Sequence, residues 1–138
     1  MQSKTVFTIG QKFYENIEID KYRPHIYAGA SGDFNPIHID PQAGQCAGLG
    51  GNILQGMCTY AMLASFAMRA LGRSGRIVKM KARFKTPVKP GDTLSFCGEI
   101  AALEGNSLTM KVEVLNSSSV PVMQNAELEF VLDGVSET

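Results

Sequence analysis

The feature that most constrains the fold is a long apolar segment, residues 56–71, followed by Gly72 and then by four strand-like segments. The segment is apolar on nearly every face of a helix, which predicts a buried helix, and Gly72 supplies a stop signal. Such a helix would be about 24 Å long, enough to cross a small domain. The strand-like segments are residues 77–86, 93–103, 107–116 and 121–132. The sequence therefore predicts an α+β fold in which one antiparallel sheet curls around a single long helix.

The strand-like segments alternate apolar and polar residues, as expected for a sheet with one buried face. The predicted inward residues of the last two strands are Leu108, Met110, Val112, Val114, Ala126, Leu128, Phe130 and Leu132. The connectors KPGD, LEGN and SSSVP are typical of turns, and short turns imply antiparallel neighbours. Before the long helix, residues 13–19 are predicted as a strand and residues 21–30 as a short helix that ends near Gly32.

Length and composition fit one folded domain spanning residues 1–138, with 44% hydrophobic and 19% charged residues. The N-terminus lacks the pattern of a signal peptide, and no apolar stretch reaches about 18 residues, so we expect a cytoplasmic protein without a membrane segment. Cys46, Cys58 and Cys97 are far apart and lack Cys-x-x-Cys spacing. They predict neither a disulfide framework nor a zinc site, and we expect them to be small buried hydrophobes.

Basic residues are concentrated between Arg69 and Lys89, where no acidic residue occurs. In VKMKARFKT they alternate with apolar residues, so a strand would point them outward. An outward basic strand and the following turn could bind the phosphates of a coenzyme A or phosphopantetheine substrate, with Lys85 and Lys89 as candidate ligands. Nucleic acid is not expected as a partner, because the net charge is zero and no nucleic-acid-binding motif is present.

The stretch YAGASGDFNPIHID, residues 27–40, places an aspartate five residues before one of the two histidines. On a continuous helix Asp33 and His38 would not share a face. Pro36 breaks the helix and Gly32 permits unusual backbone dihedrals, so a kinked segment can turn both side chains to one point. Asn35 could brace that segment from within. A carboxylate and an imidazole aimed at one place can hold a water molecule and move its proton.

These residues resemble the signature of the MaoC-like dehydratases, the family that contains the (R)-specific enoyl-CoA hydratases. The resemblance rests on YAGASGDFNPIHID, on GGNILQGMCTYAM at the start of the long helix, and on RFKTPVKPGDTL at residues 83–94. It implies a hot-dog fold, usually dimeric, and reversible syn addition of water to a trans-2-enoyl thioester to give an (R)-3-hydroxyacyl product. It implies no separate cofactor, coenzyme A or phosphopantetheine being part of the substrate. By the resemblance, Asp33 and His38 match the catalytic dyad.

Gly56 is the candidate donor to the thioester oxygen, which gains negative charge when water attacks the β-carbon. It lies at the predicted start of the long helix, where backbone N–H groups have no intrahelical partner, and it lacks a side chain that would block close approach. The glycine in this position matches the family's thioester donor. Many relatives have histidine where this chain has Gln55, and glutamine can hydrogen-bond but cannot titrate. We therefore expect Gln55 and Asn35 to take part in substrate positioning.

Three other functions remain open from the sequence. A hot-dog thioesterase would hydrolyse the same substrates, a noncatalytic acyl-thioester binder would tolerate loss of Asp33 or His38, and a dehydratase acting on acyl carrier protein would differ only in the carrier. His25 has no acid or cysteine at metal-ligand spacing and is expected to be structural. No metal site is predicted. The exposed edges of a small curved sheet favour pairing into a homodimer.

Overall fold

The computed structural model describes residues 5–72 and 74–134. Its helices are α1 (Arg23–Ser31), α2 (Pro36–Ile39), α3 (Pro41–Cys46) and α4 (Gly56–Ala70), and its strands are β1 (Lys12–Glu18), β2 (Gly75–Phe84), β3 (Thr93–Glu104), β4 (Ser107–Leu115) and β5 (Pro121–Leu132). All five predicted strands and both predicted helices are present, and their ends lie within two residues of the predicted ones. The short helices α2 and α3 were not predicted.

The five strands form one antiparallel sheet in the order β1-β3-β4-β5-β2. Strands β3, β4 and β5 follow one another as a meander, because the connections between them are short. The turn between β3 and β4 passes through Gly105, whose φ of 57° lies in the left-handed region that glycine adopts readily. Strands β1 and β2 are the two edges of this sheet.

Helix α4 packs on one face of the sheet and forms the core with it. Its buried residues are Cys58, Thr59, Met62, Leu63, Phe66 and Ala67. The ring of Phe66 lies 5.4 Å from that of Phe96 on β3, measured between centroids. Gly98 permits this close approach, because a Cβ atom there would lie 2.8 Å from the Met110 sulfur and 3.1 Å from the Phe66 ring. The predicted inward residues of β4 and β5 are buried, with Leu132 half-buried.

One face of α4 is exposed, so the predicted burial on nearly every face is wrong. Met57, Ala61, Ser65 and Arg69 are spaced four residues apart and form an exposed stripe. Arg69 bridges from this stripe to Glu15 on β1, with Nη2 3.0 Å from Oε1. Met57 is 56% exposed and is not a core residue.

The outer face of the sheet, opposite α4, carries a row of alternating charges across all five strands. The cross-strand partners in this charge row are Lys12, Glu99, Lys111, Glu127 and Lys81, in the spatial order of the strands. The Lys81 Nζ atom lies 3.9 Å from the Glu127 Oε2 atom. Opposite charges placed directly across from one another stabilise a sheet modestly. A groove of about 420 Å³ runs among these residues.

The cysteines differ in burial. Cys58 is buried and Cys97 half-buried, but Cys46 is exposed at the end of α3, so the expectation of burial is wrong for Cys46. Burial raises the pKa of the Cys58 thiol, although the positive charge of Arg23 opposes this shift. Within residues 5–72 and 74–134, no helix is both long enough and apolar enough to span a membrane.

Candidate active site

The end of α1 sets the direction in which Asp33 leaves the helix. Gly32 adopts a φ of 80°, and its amide donates to the carbonyl of Ala28, which closes the helix in a left-handed cap. The Ser31 hydroxyl donates to the Tyr27 carbonyl at 2.7 Å and accepts from the Asp33 amide at 3.1 Å. Helix α1 therefore stops where the sequence predicted, and Asp33 lies just beyond it.

Asn35 organises the next turn. The backbone amide of Asn35 donates to Asp33 Oδ1 at 3.3 Å. The side-chain Oδ1 of Asn35 accepts from the backbone amide of Ile37 at 3.3 Å, which caps α2. Pro36 occupies the first position of α2, where a missing N–H costs nothing. The predicted bracing by Asn35 is thus present in the structure. Contact between Asn35 and a substrate stays a prediction.

Asp33 and His38 face each other across this turn. The His38 Nε2 atom lies 3.7 Å from the Asp33 Oδ2 atom, and the His38 side chain is 12% exposed against 47% for Asp33. The His38 Nδ1 atom lies 2.9 Å from the carbonyl oxygen of Ile53. A carbonyl only accepts, so this contact places the proton of neutral His38 on Nδ1 and leaves Nε2 as an acceptor. The Asn52 side chain also donates to the His38 carbonyl, at 2.8 Å.

The orientation of His38 determines what the pair can bind. With the Nδ1 proton donated to Ile53, both Nε2 and the Asp33 carboxylate are acceptors, and neither can donate to the other. A water molecule has two protons and can donate to both. The geometry is therefore suited to holding a water molecule and accepting one of its protons.

A cleft of about 270 Å³ adjoins the pair and is bordered by the start of α4, the end of β2 and a part of β5. His38, Gly56, Thr59, Phe84 and Lys85 are among its lining residues. Asp33 is adjacent to this lining and is not part of it. A Cβ atom on Gly56 would lie 3.4 Å from the Phe84 ring. The cleft thus combines a helix N-terminus, an imidazole and an aromatic ring.

Gln55 is 1% exposed and forms internal hydrogen bonds. Its Nε2 donates to the Pro24 carbonyl at 2.8 Å and more weakly to the Asp33 carbonyl at 3.4 Å. Its Oε1 has no hydrogen-bond partner among the described residues. Gln55 therefore ties the start of α4 to α1 and to the backbone of Asp33, and the predicted contact with substrate stays untested.

The two candidate phosphate ligands lie in different places. Lys85 follows β2 and lines the cleft. Lys89 does not line the cleft. Its Nζ atom lies close to Gly50, 3.1 Å from the position that a Cβ atom on Gly50 would occupy. His25 is exposed, and its Nε2 lies 3.1 Å from the Ile39 carbonyl, a contact within the fold. Among the described residues, no group of three or more His, Cys, Asp or Glu is arranged to hold a metal ion.

Two residues of this site were not predicted. Ile53 contributes a carbonyl oxygen, which no side-chain pattern reveals. Thr59 lines the cleft from α4 and is 2% exposed. Its spacing of three residues from Gly56 places it on the same side of the helix, and that spacing could have identified it.

The antiparallel sheet and the long helix against it form an α+β hot-dog fold, and the Asp33-His38 pair makes a candidate site near the start of its central helix. The family model for the MaoC-like domain matches residues 4–121, and the chain belongs to this family. An R-hydratase of Pseudomonas aeruginosa, in its unliganded form, superposes with a TM-score of 0.83 at 27% identity, covering 91% of this chain and 82% of that one. An (R)-hydratase of A. caviae, with a TM-score of 0.85 at 22% identity, shares the fold over 96% of this chain and 99% of that one.

The curated relatives are longer proteins. The peroxisomal multifunctional enzyme type 2 of Mus musculus is 36% identical over 109 residues, which are 77% of this chain and 14% of that enzyme. The 3-hydroxyacyl-thioester dehydratase Y of Mycobacterium tuberculosis is 39% identical over 106 residues, which are 75% of this chain and 34% of that protein. This chain therefore matches only a minor part of either relative.

Proposed function

We propose that this chain catalyses the reversible hydration of trans-2-enoyl thioesters to (R)-3-hydroxyacyl thioesters, with coenzyme A as the carrier. One observation carries the proposal: His38 Nε2 lies 3.7 Å from Asp33 Oδ2 while its Nδ1 lies 2.9 Å from the Ile53 carbonyl, so two acceptors face one point beside the cleft. The names of the hydratase and dehydratase relatives support the same reaction class.

In the proposed reaction, Asp33 and His38 hold a water molecule and one of them accepts its proton. The water oxygen forms a bond to the β-carbon of the enoyl group, and the π electrons move toward the thioester oxygen. The Gly56 amide, at the first position of α4, donates to that oxygen. The pair then delivers a proton to the α-carbon on the same face. The net change is addition of one water molecule across the double bond, with no redox step.

The position of Lys85 supports a thioester carrier that bears a phosphate. This exposed cation lines the cleft and is suited to a phosphate of coenzyme A outside the acyl pocket. The phosphopantetheine arm of an acyl carrier protein offers the same chemistry through its single phosphate. Comparison of a coenzyme A thioester with its carrier-protein counterpart distinguishes the two.

We also propose a homodimer paired through β2. In the described part of the chain, β2 pairs with β5 alone, which leaves its other side without a strand partner. Its residues Val78 and Phe84 are 52% and 50% exposed. An edge strand presents unpaired backbone N–H and C=O groups to another strand, and the exposed Val78 and Phe84 add apolar surface beside the basic residues of β2. Sedimentation should give a dimer, and Val78→Lys should shift it toward the monomer.

The decisive experiment follows the loss of enoyl-thioester absorbance when the protein is mixed with crotonyl-CoA or a longer 2-enoyl-CoA, with chiral analysis of the product. Rapid formation of the (R)-3-hydroxy product that Asp33→Asn abolishes is the expected result. Release of free thiol instead would indicate a thioesterase. Absence of turnover on coenzyme A and carrier-protein thioesters alike, with binding retained, would overturn the proposal in favour of a noncatalytic binder.

A further inference from the structure

Thr59 carries a buried hydroxyl group that nothing in the described residues satisfies. The residue is 2% exposed, and its Oγ1 atom has no hydrogen-bond partner. A buried donor without a partner costs stability, so native structures rarely keep one. Valine has nearly the same shape as threonine and would fill this position without that cost. A ligand atom that accepts a hydrogen bond from this hydroxyl would remove the cost.

The location of Thr59 points to a ligand. Thr59 lines the same cleft as His38 and Gly56. It lies three residues after Gly56 on α4, so the two share one side of the first helical turn. Leu54, Phe84 and Val122 contribute apolar surface to this cleft. An apolar surrounding excludes water and strengthens any hydrogen bond made there.

The Gly56 amide alone is an incomplete site for a developing oxyanion. Its N–H has no backbone acceptor among the described residues, as expected for the first residue of a helix. Enzymes that stabilise an oxyanion place preorganised hydrogen-bond donors around the oxygen, and the removal of one donor has a large effect on turnover. A carbonyl oxygen has two lone pairs and can accept from two donors at once.

We infer that the Thr59 hydroxyl donates a second hydrogen bond to the thioester carbonyl oxygen, beside the Gly56 amide. The inference rests on the proposed hydratase function. The hydroxyl proton is free for this bond, and rotation of the Thr59 side chain toward the cleft breaks no existing hydrogen bond. The bond strengthens as negative charge grows on the oxygen during water attack, which is the condition for raising turnover as well as binding.

Thr59→Val tests the inference, because it removes the hydroxyl and keeps the shape. We expect kcat for crotonyl-CoA to fall by about 100-fold, the low end for loss of an oxyanion donor. We also expect the Tm to stay the same or rise, because the unpaired buried hydroxyl is gone. A purely structural role for Thr59 predicts the opposite pattern, a lower Tm with kcat preserved. Thr59→Ser keeps the donor and should retain more activity than Thr59→Val.

A spectroscopic measurement tests the hydrogen bond itself. Hydrogen bonds to a conjugated carbonyl polarise it and move its absorbance to longer wavelength. We expect Asp33→Asn to bind crotonyl-CoA without turnover, so the bound substrate should show this red shift. Adding Thr59→Val to this variant should reduce the shift. An undiminished red shift together with a kcat for Thr59→Val within about threefold of wild type would overturn the inference.

Controls separate this inference from the proposed function. Thr109→Val makes the same change on β4, outside the cleft lining, and should leave kcat unchanged. If the wild-type protein hydrates no enoyl thioester, the proposed function fails and the inference fails with it. If the wild type is active, Asp33→Asn is inactive and Thr59→Val resembles Thr109→Val, only the inference about Thr59 fails.

Discussion

The Nε2 atom of His38 lies 3.7 Å from the Oδ2 atom of Asp33, with the imidazole largely buried and the carboxylate about half exposed. The contact with the Ile53 carbonyl orients the His38 ring, and the hydrogen bond from the Asn35 backbone amide orients the Asp33 carboxylate. We expect Asp33→Asn and His38→Ala each to lower kcat by at least about 100-fold, the low end for loss of general acid–base catalysis. Steady-state kinetics with crotonyl-CoA measures this. Asp133→Asn, an exposed site outside the cleft, is the matched control, and a near-wild-type rate in either dyad variant would remove that residue from the mechanism.

Gly56→Ala tests whether the Gly56 amide donates to the substrate, because the substitution should affect substrate approach more than it affects the fold. The added methyl group would meet the Phe84 ring at 3.4 Å, an ordinary contact, so the fold should tolerate it. The same methyl group would obstruct the approach of a carbonyl oxygen to the amide, and we expect kcat/KM to fall by about tenfold or more. Gly29→Ala on α1 is the matched control, because a Cβ atom there contacts nothing within 4 Å. Equal activity of the two variants would argue against the Gly56 amide as a donor.

Lys85 and Lys89 are expected to contribute unequally to coenzyme A binding, since only Lys85 lines the cleft. At low salt, Lys85→Ala should raise KM several-fold with little change in kcat, which is the result of removing uniform binding. Lys89→Ala should have a smaller effect. Lys21→Ala serves as the control, because this cation stacks on Tyr22 outside the cleft. An unchanged KM in both the Lys85 and the Lys89 variant would show that the substrate phosphates bind at other residues.

Asp92 gives the fold an acid-sensitive contact. A hydrogen bond from the Ser117 side chain, helped by the Thr93 and Ser117 amides, lowers the pKa of Asp92 below its ordinary value of 3.8, although burial opposes the shift. A lowered pKa means that the folded state favours the carboxylate, so its stabilisation is present above pH 3.8 and is lost as the pH falls through the lower, folded-state value. Asp92→Asn should therefore lower the Tm at pH 7, and the difference should shrink in acid. A Tm difference that does not change with pH would show that the carboxylate charge is not involved.

Reversal of the central charge of the charge row should destabilise the sheet. In Lys111→Glu, a new carboxylate would lie between Glu99 and Glu127 on the neighbouring strands. We expect the Tm to fall by roughly 2–6 °C, and by less in Lys111→Gln, which removes the attraction without adding repulsion. In 1 M salt the excess loss in Lys111→Glu should diminish, because charges are then screened within about 3 Å. Equal Tm values for the two variants would show that the row does not act through charge.

The fold was largely predictable because its signals are local. Alternating residues predict the strands β4 and β5, and the apolar run predicts the helix α4. The turn residues mark where these elements end, and the short connections make neighbouring strands antiparallel. The exposed stripe of α4 was not predictable, because Met57 and Ala61 are apolar like the core residues and their exposure depends on how the helix packs against the sheet. In the site, the Asp33-His38 proximity follows from Gly32 and Pro36. The Ile53 carbonyl and the internal hydrogen bonds of Gln55 depend on long-range contacts that have no local signal.

The charge row also bears on how the strands find their partners. Hydrophobic alternation repeats every two residues, so it forbids a slip of one residue but permits a slip of two, which keeps every apolar side chain inward. In one direction such a slip of β4 would place Glu113 between Glu99 and Glu127 in place of Lys111, which sets three carboxylates side by side. The buried face thus decides which side of β4 points inward, and the charged face distinguishes between alignments that the buried face treats as equivalent. Charges that keep the protein in solution thus also raise the free energy of one misaligned register that the hydrophobic pattern alone would permit.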